Sequence, residues 1–130
     1  MKQILILLLC MSAVFACEAQ YNKEKIQKLL TGDNEKSWMV NGINIDRPEK
    51  KFIFNKNNSV KVESTKGLIK NEKWSLKSAD EIRWFLSIGN QRYELIISYD
   101  KKGKEYIKLT HQAGDNKTSG YYEIKLNPIK

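Results

Sequence analysis

From Trp38 onward the apolar residues recur at every second position, and this alternation constrains the fold more than any other feature of the chain. Trp38 and Val40 alternate with Ser37, Met39 and Asn41, and Phe52 and Phe54 alternate with Lys51 and Asn55. Val60 and Val62 alternate with Lys61 and Glu63, and Trp74 and Leu76 with Lys73, Ser75 and Lys77. Ile82, Trp84, Leu86 and Ile88 share one parity opposite Arg83 and Ser87, as Tyr93, Leu95 and Ile97 do opposite Arg92, Glu94 and Ser98. Ile107 and Leu109 flank Lys108, and Tyr122, Ile124 and Leu126 enclose Glu123 and Lys125. Successive side chains of a β-strand point to opposite faces, so each run reads as a strand with one face in a core and the other in water.

The breaks between runs carry turn chemistry. Asn55–Asn58, Lys77–Asp80, Gly89–Asn90, Asp100–Gly103 and Gly114–Asn116 supply residues that tolerate positive φ or hydrogen-bond their own backbone. Short strands joined by tight turns form a meander, and a long meander curls until closure removes both edges. The expected fold is therefore all-β: an antiparallel up-and-down barrel or strongly curled sheet of about eight strands. One short helix precedes it. Asn22 is placed to cap that helix, and Ile26, Leu29 and Leu30 follow at helical spacing before Gly32.

The N-terminus has a different character. Met1-Lys2-Gln3 is followed by an apolar run from Ile4 to Ala16, broken only by Cys10 and Ser12. The run is shorter than the ~20 apolar residues of a membrane-spanning helix and fits a secretion signal over residues 1–16. Val14-Phe15-Ala16-Cys17 resembles the bacterial lipobox, which implies a diacylglycerol on the thiol of Cys17 and a mature domain over residues 17–130. Cys10 does not fit, because Leu9 is too large for the position before a lipidated cysteine. Ordinary cleavage after Ala19 is the other reading, and it gives a secreted or periplasmic protein. Both cysteines lie within the first seventeen residues, so no disulfide is available to the domain. The expected location is the cell envelope, as an outer-membrane lipoprotein whose first partner is the bilayer itself.

The formal net charge of +8 falls by one when Lys2 is removed with the signal. An excess of this kind suits nucleic acid, an anionic membrane or an acidic protein. Export argues against nucleic acid. The charges are dispersed, with Lys50-Lys51 and Lys101-Lys102 read as pairs at turns.

The order of these segments resembles the small lipocalin-like domains of envelope lipoproteins in Bacteroidota. The residues that carry the likeness are Leu29-Leu30-Thr31-Gly32 before Ser37-Trp38, then Phe52-Ile53-Phe54 with its polar turn through Ser59, then Lys73-Trp74-Ser75-Leu76. Gly32 stands six residues before Trp38 rather than close to it, and Asn58 replaces the glycine usual in that hairpin. The resemblance implies a barrel; such barrels host many roles, so it implies little about function.

The sequence offers no catalytic constellation. His111 is the only histidine, which argues against a histidine-based metal site or triad, and its place near a strand end suggests a solvent-exposed ring. No nucleophile elbow or phosphate-binding glycine loop occurs, and the adjacent acids Asp80-Glu81 fit a turn. No cofactor or metal is expected. The aromatic residues are the informative set. Trp38, Phe54, Trp74, Trp84, Tyr93 and Tyr122, with Phe52, fall on the inward parity. They either fill the barrel as core or line a pocket for a small lipophilic ligand. Phe85, Ile96 and Tyr121 fall on the outward parity and suggest a contact surface. Two functions fit: a non-catalytic barrel that captures a small lipophilic molecule, or a lipid-tethered immunity or inhibitor protein. In the second case the basic surface would steer in an acidic toxin or hydrolase and repel a basic lysozyme.

Overall fold

The computed structural model of the chain describes residues 21–43, 46–80, 82–111 and 122–129. The signal segment, Cys17 and the Gly114–Asn116 turn therefore lie outside the described residues, as does Tyr121. Among the described residues one helix, α1 (Lys23–Thr31), precedes eight strands: β1 (Glu35–Gly42), β2 (Glu49–Asn55), β3 (Ser59–Ser64), β4 (Ile69–Ser78), β5 (Trp84–Ile88), β6 (Gln91–Tyr99), β7 (Glu105–His111) and β8 (Glu123–Pro128). Each strand pairs antiparallel with the next, and β8 returns to β1, so the sheet closes as an up-and-down barrel. Following paired residues once around the circuit returns to β1 about twelve residues further along. A stagger larger than the strand number tilts the strands and widens the bore, leaving space that the side chains need not fill.

The turns obey local chemistry. Asn58, at φ +69°, takes the left-handed position in the β2–β3 hairpin, and its amide donates to the Asn55 carbonyl. Gly89 takes the left-handed position in the β5–β6 turn at φ +57°, and its amide donates to the Lys73 carbonyl on β4. Asp80 accepts from the amides of Ile82 and Arg83, at 3.1 and 2.8 Å. That turn draws Ile82 out of the ladder, so β5 begins at Trp84 and Ile82 is 70% exposed, not inward as its parity suggests. Lys50-Lys51 is not a turn pair either. Both residues lie within β2, where the register shifts between Glu49 and Lys51, and Lys51 reaches Glu63 on β3.

The two ends of the barrel differ. Helix α1 lies across one end, capped by the Asn22 side chain on the Lys25 amide and stopped by Gly32, whose N–H bonds back to the Lys28 carbonyl. Ile26 and Leu30 are fully buried from that helix. The indole N–H of Trp38 donates to the Leu30 carbonyl at 2.9 Å, fastening the last helical turn to β1. Phe54 stands edge-on to Phe52 and Trp74, and the Trp74 indole donates to the Asn55 carbonyl. These side chains form the apolar core of the closed end.

Among the described residues the outer surface follows the alternation at most positions, with Phe85 and Thr110 as buried departures. Ile96 is outward and 40% exposed, but Phe85, also outward, is only 9% exposed. The guanidinium of Arg92 lies 4.3 Å above its ring and shields it.

Candidate functional site

At the end opposite α1 the inward-facing side chains change from apolar to polar. The parity that places Trp74 inward also places Glu72 and Lys70 inward on β4. On β6 it extends from Tyr93 to Gln91, and on β7 from Leu109 to His111. Together with Phe52, Val62, Ile88, Tyr93, Tyr122, Arg47 and Glu49 these residues enclose a cavity of about 470 Å³. Its floor is apolar, from Phe52, Val62, Ile88 and the Tyr93 ring. Its rim is charged. A wider and shallower depression of about 570 Å³ lies alongside, by Met39, Asn41, Lys50 and Thr65, and also meets Arg47 and Glu49. We take the first as the site because inward side chains of six strands converge on it.

One wall is a stack of planar groups. The His111 and Tyr122 rings lie 4.5 Å apart and 9° from parallel, and the Arg47 guanidinium sits 3.8 Å from the Tyr122 centroid. Tyr93 meets both rings edge-on, and its hydroxyl is 3.1 Å from that of Tyr122. Burial, reinforced by this hydrogen bond, pushes the Tyr93 phenol pKa well above its ordinary value, so it stays neutral and serves as donor or acceptor. His111 Nε2 is 2.6 Å from Gln91 Oε1. The imidazole is thus half-buried in the wall and is not the solvent-exposed ring expected from its strand-end position. The hydrogen bond and the tyrosine stack turn it inward.

The charges of the rim are matched. Arg47 donates twice to Glu49, at 2.8 and 3.0 Å, with both side chains about one-fifth exposed. Lys70 lies 3.1 Å from Glu72. Gly89 makes room for that carboxylate: a Cβ there would lie 2.7 Å from Glu72 Oε2.

Of the side chains expected to line a pocket, Tyr93 and Tyr122 do so. Trp38, Phe54 and Trp74 sit in the closed-end core instead, each no more than 3% exposed, and Trp84 packs half-buried against that core. The two indoles bonded to backbone carbonyls are held away from the open end. The polar lining residues not expected in a pocket from sequence fall into two groups. Glu72, Lys70, Gln91 and His111 had a usable signal, since each continues an inward parity past its last apolar member. Arg47 and Glu49 had none, because the register shift at Glu49 breaks the alternation there. Among the described residues no three histidine, cysteine or acidic side chains come together as metal ligands.

Comparison with protein-family models, with curated proteins and with solved structures gives no match to the chain.

Proposed function

We propose that this protein is a lipid-anchored lipocalin-like barrel of the cell envelope, without catalytic activity, whose open end binds a small ligand with a lipophilic body. The observation that carries this reading is the cavity of about 470 Å³ at the end of the barrel opposite α1. Ligand pockets commonly measure roughly 300–1,000 Å³ and combine apolar walls with a few polar groups. Here the floor accepts the apolar body, and the Tyr93, Tyr122, Gln91 and His111 groups orient a polar end. Both rim cations already hold carboxylates, so a ligand carboxylate would have to displace Glu49 or Glu72. An uncharged polar end avoids that cost. The anchor is assigned to Cys17, on the resemblance of Val14-Phe15-Ala16-Cys17 to the lipobox.

Titration with Nile red, an uncharged lipophilic fluorophore, tests the reading. The wild type should bind it saturably, and Ile88→Trp, which projects a larger ring into the cavity, should bind at least tenfold more weakly while remaining folded. Equal binding by both proteins, or no saturable binding by the wild type, would overturn it.

A further inference from the structure

We infer that the closed end of the barrel is a docking face for an anionic bilayer surface, which turns the cavity mouth away from the membrane. The orientation rests on the reading that Cys17 carries the lipid; the docking face rests on observations of its own.

The first is where the chain enters the fold. The Tyr21 hydroxyl lies 2.8 Å from that of Tyr99 and donates to Glu105 at 2.9 Å, which ties the approach to α1 to the base of the β6–β7 hairpin. Cys17 is four residues earlier. At roughly 3.5 Å per residue, that length of chain spans no more than about 14 Å. A lipid on Cys17 therefore keeps the closed end near the headgroups, close to the distance of about 8–10 Å over which charges act through physiological salt.

The second is the charge at that end. Lys23, Lys25 and Lys28 are exposed on α1, and Lys101, Lys102 and Lys104 are exposed on the hairpin that Tyr21 joins to it. Acids on the same elements are fewer and mostly engaged. Asp100 accepts from the amides of Lys102 and Lys104, and Glu105 accepts from Tyr21. Among the described residues, Arg47 pairs with Glu49, Lys51 with Glu63, Lys70 with Glu72 and Lys108 with Glu123, and Arg83 pairs with Asp80 in the β4–β5 turn. Wall and mouth lysines such as Lys50, Lys61 and Lys66 stay out of ion pairs but are spread over separate elements. Among the described residues, none of the six lysines on α1 and the β6–β7 hairpin enters an ion pair, and they gather on two elements that Tyr21 joins. An unpaired lysine keeps its full charge for a lipid phosphate, whereas a paired one must first give up its carboxylate.

The third is Tyr99, 59% exposed beside these lysines. Tyrosine suits the boundary between headgroups and acyl chains, where its ring is dry and its hydroxyl wet. A lipid chain combined with a basic patch is a two-signal attachment, stronger and more oriented than either alone. With the closed end down, the cavity opens on the aqueous side, so its ligand arrives from solution or from a facing partner and not from the anchoring leaflet.

Co-sedimentation of the full chain with vesicles tests this, using pure phosphatidylcholine against a mixture about one-third phosphatidylglycerol. The ratio of the two affinities cancels any binding through the apolar N-terminal run. Two triple variants remove equal charge from different places: K101E/K102E/K104E at the closed end, and K50E/K61E/K66E on the walls and mouth. The wild type should prefer the anionic vesicles. The closed-end variant should lose at least tenfold of that preference, and the other variant less than threefold. Equal losses, or no preference in the wild type, would overturn the docking face. The anchor is tested separately, by whether Cys17→Ser leaves the cellular membrane fraction; if it does not, the anchor fails while the vesicle result still stands.

Discussion

Replacing Phe54 by alanine should cost most of what the domain has to lose without touching the cavity. The ring is fully buried, with centroids of Phe52 and Trp74 at 5.9 and 5.8 Å in edge-to-face geometry. Burying a side chain of this size is worth about 1.5–3 kcal/mol. Each aromatic pair adds about 0.5–1.5 kcal/mol beyond area. The sum, about 2.5–6 kcal/mol, brackets the ~3–5 kcal/mol typical of Phe→Ala in a core that cannot collapse around the void. Collapse is opposed here because the neighbours belong to a closed barrel whose strands are held on both sides. Single domains are stable by about 5–15 kcal/mol, and no cysteine beyond Cys17 exists to offset the loss by a disulfide. Equilibrium unfolding in urea reads the change directly: at a slope of about 2 kcal/mol/M the midpoint should fall by roughly 2 M. Nile red affinity of the folded protein should not change. A loss below about 1 kcal/mol, or a weakened probe site, would refute the division into an apolar-core end and a hollow one.

Three further outcomes follow from the same structure. Gly89→Ala forces a left-handed residue and drives a methyl group toward Glu72, so it should destabilise by about 1–3 kcal/mol in the same urea assay. Tyr93 has its pKa raised by burial and by the Tyr122 hydrogen bond, so folding favours its neutral form. The resulting stability is complete below the ordinary tyrosine pKa of about 10 and is lost as pH rises above it. Tyr93→Phe should therefore flatten the alkaline fall in urea midpoint, leaving a residual slope from Tyr21, whose pKa is raised chiefly by its hydrogen bond with Tyr99. Cys17→Ser should shift the protein from the membrane to the soluble fraction, and unchanged membrane recovery would remove the lipid anchor.

The barrel was legible in the sequence because each strand buries one face, and burial of one face enforces period two. Phe52 and Phe54, or Ile107 and Leu109, need nothing beyond parity to be placed inside. The helix was legible for similar reasons, through a capping Asn22 and a terminating Gly32. The site was less so. Parity says which way a side chain points but not how far along the barrel axis it sits. Trp38 and Trp74 consequently read like pocket residues, although backbone carbonyls hold their indoles in the closed-end core. His111 reads as a surface ring because its partners Gln91 and Tyr122 are twenty residues before it and eleven after it. Stacking between such distant residues exists only once β6, β7 and β8 have closed. Ile82 and Lys50 show the converse, where a local turn or a register shift overrides an alternation that looks regular in one dimension.

The single histidine offers the most direct test of the cavity. His111 gives one imidazole signal set in a proton–nitrogen NMR spectrum, and its ring lies in the cavity wall against Tyr122. Titration with Nile red at constant pH should shift that signal set saturably, with the same midpoint as the fluorescence change, because a flat probe in the cavity alters the ring currents at the imidazole. Ile88→Trp should abolish the titration-dependent shift. A fluorescence change that saturates while the His111 signals stay fixed would place the probe elsewhere and contradict a ligand-binding open end.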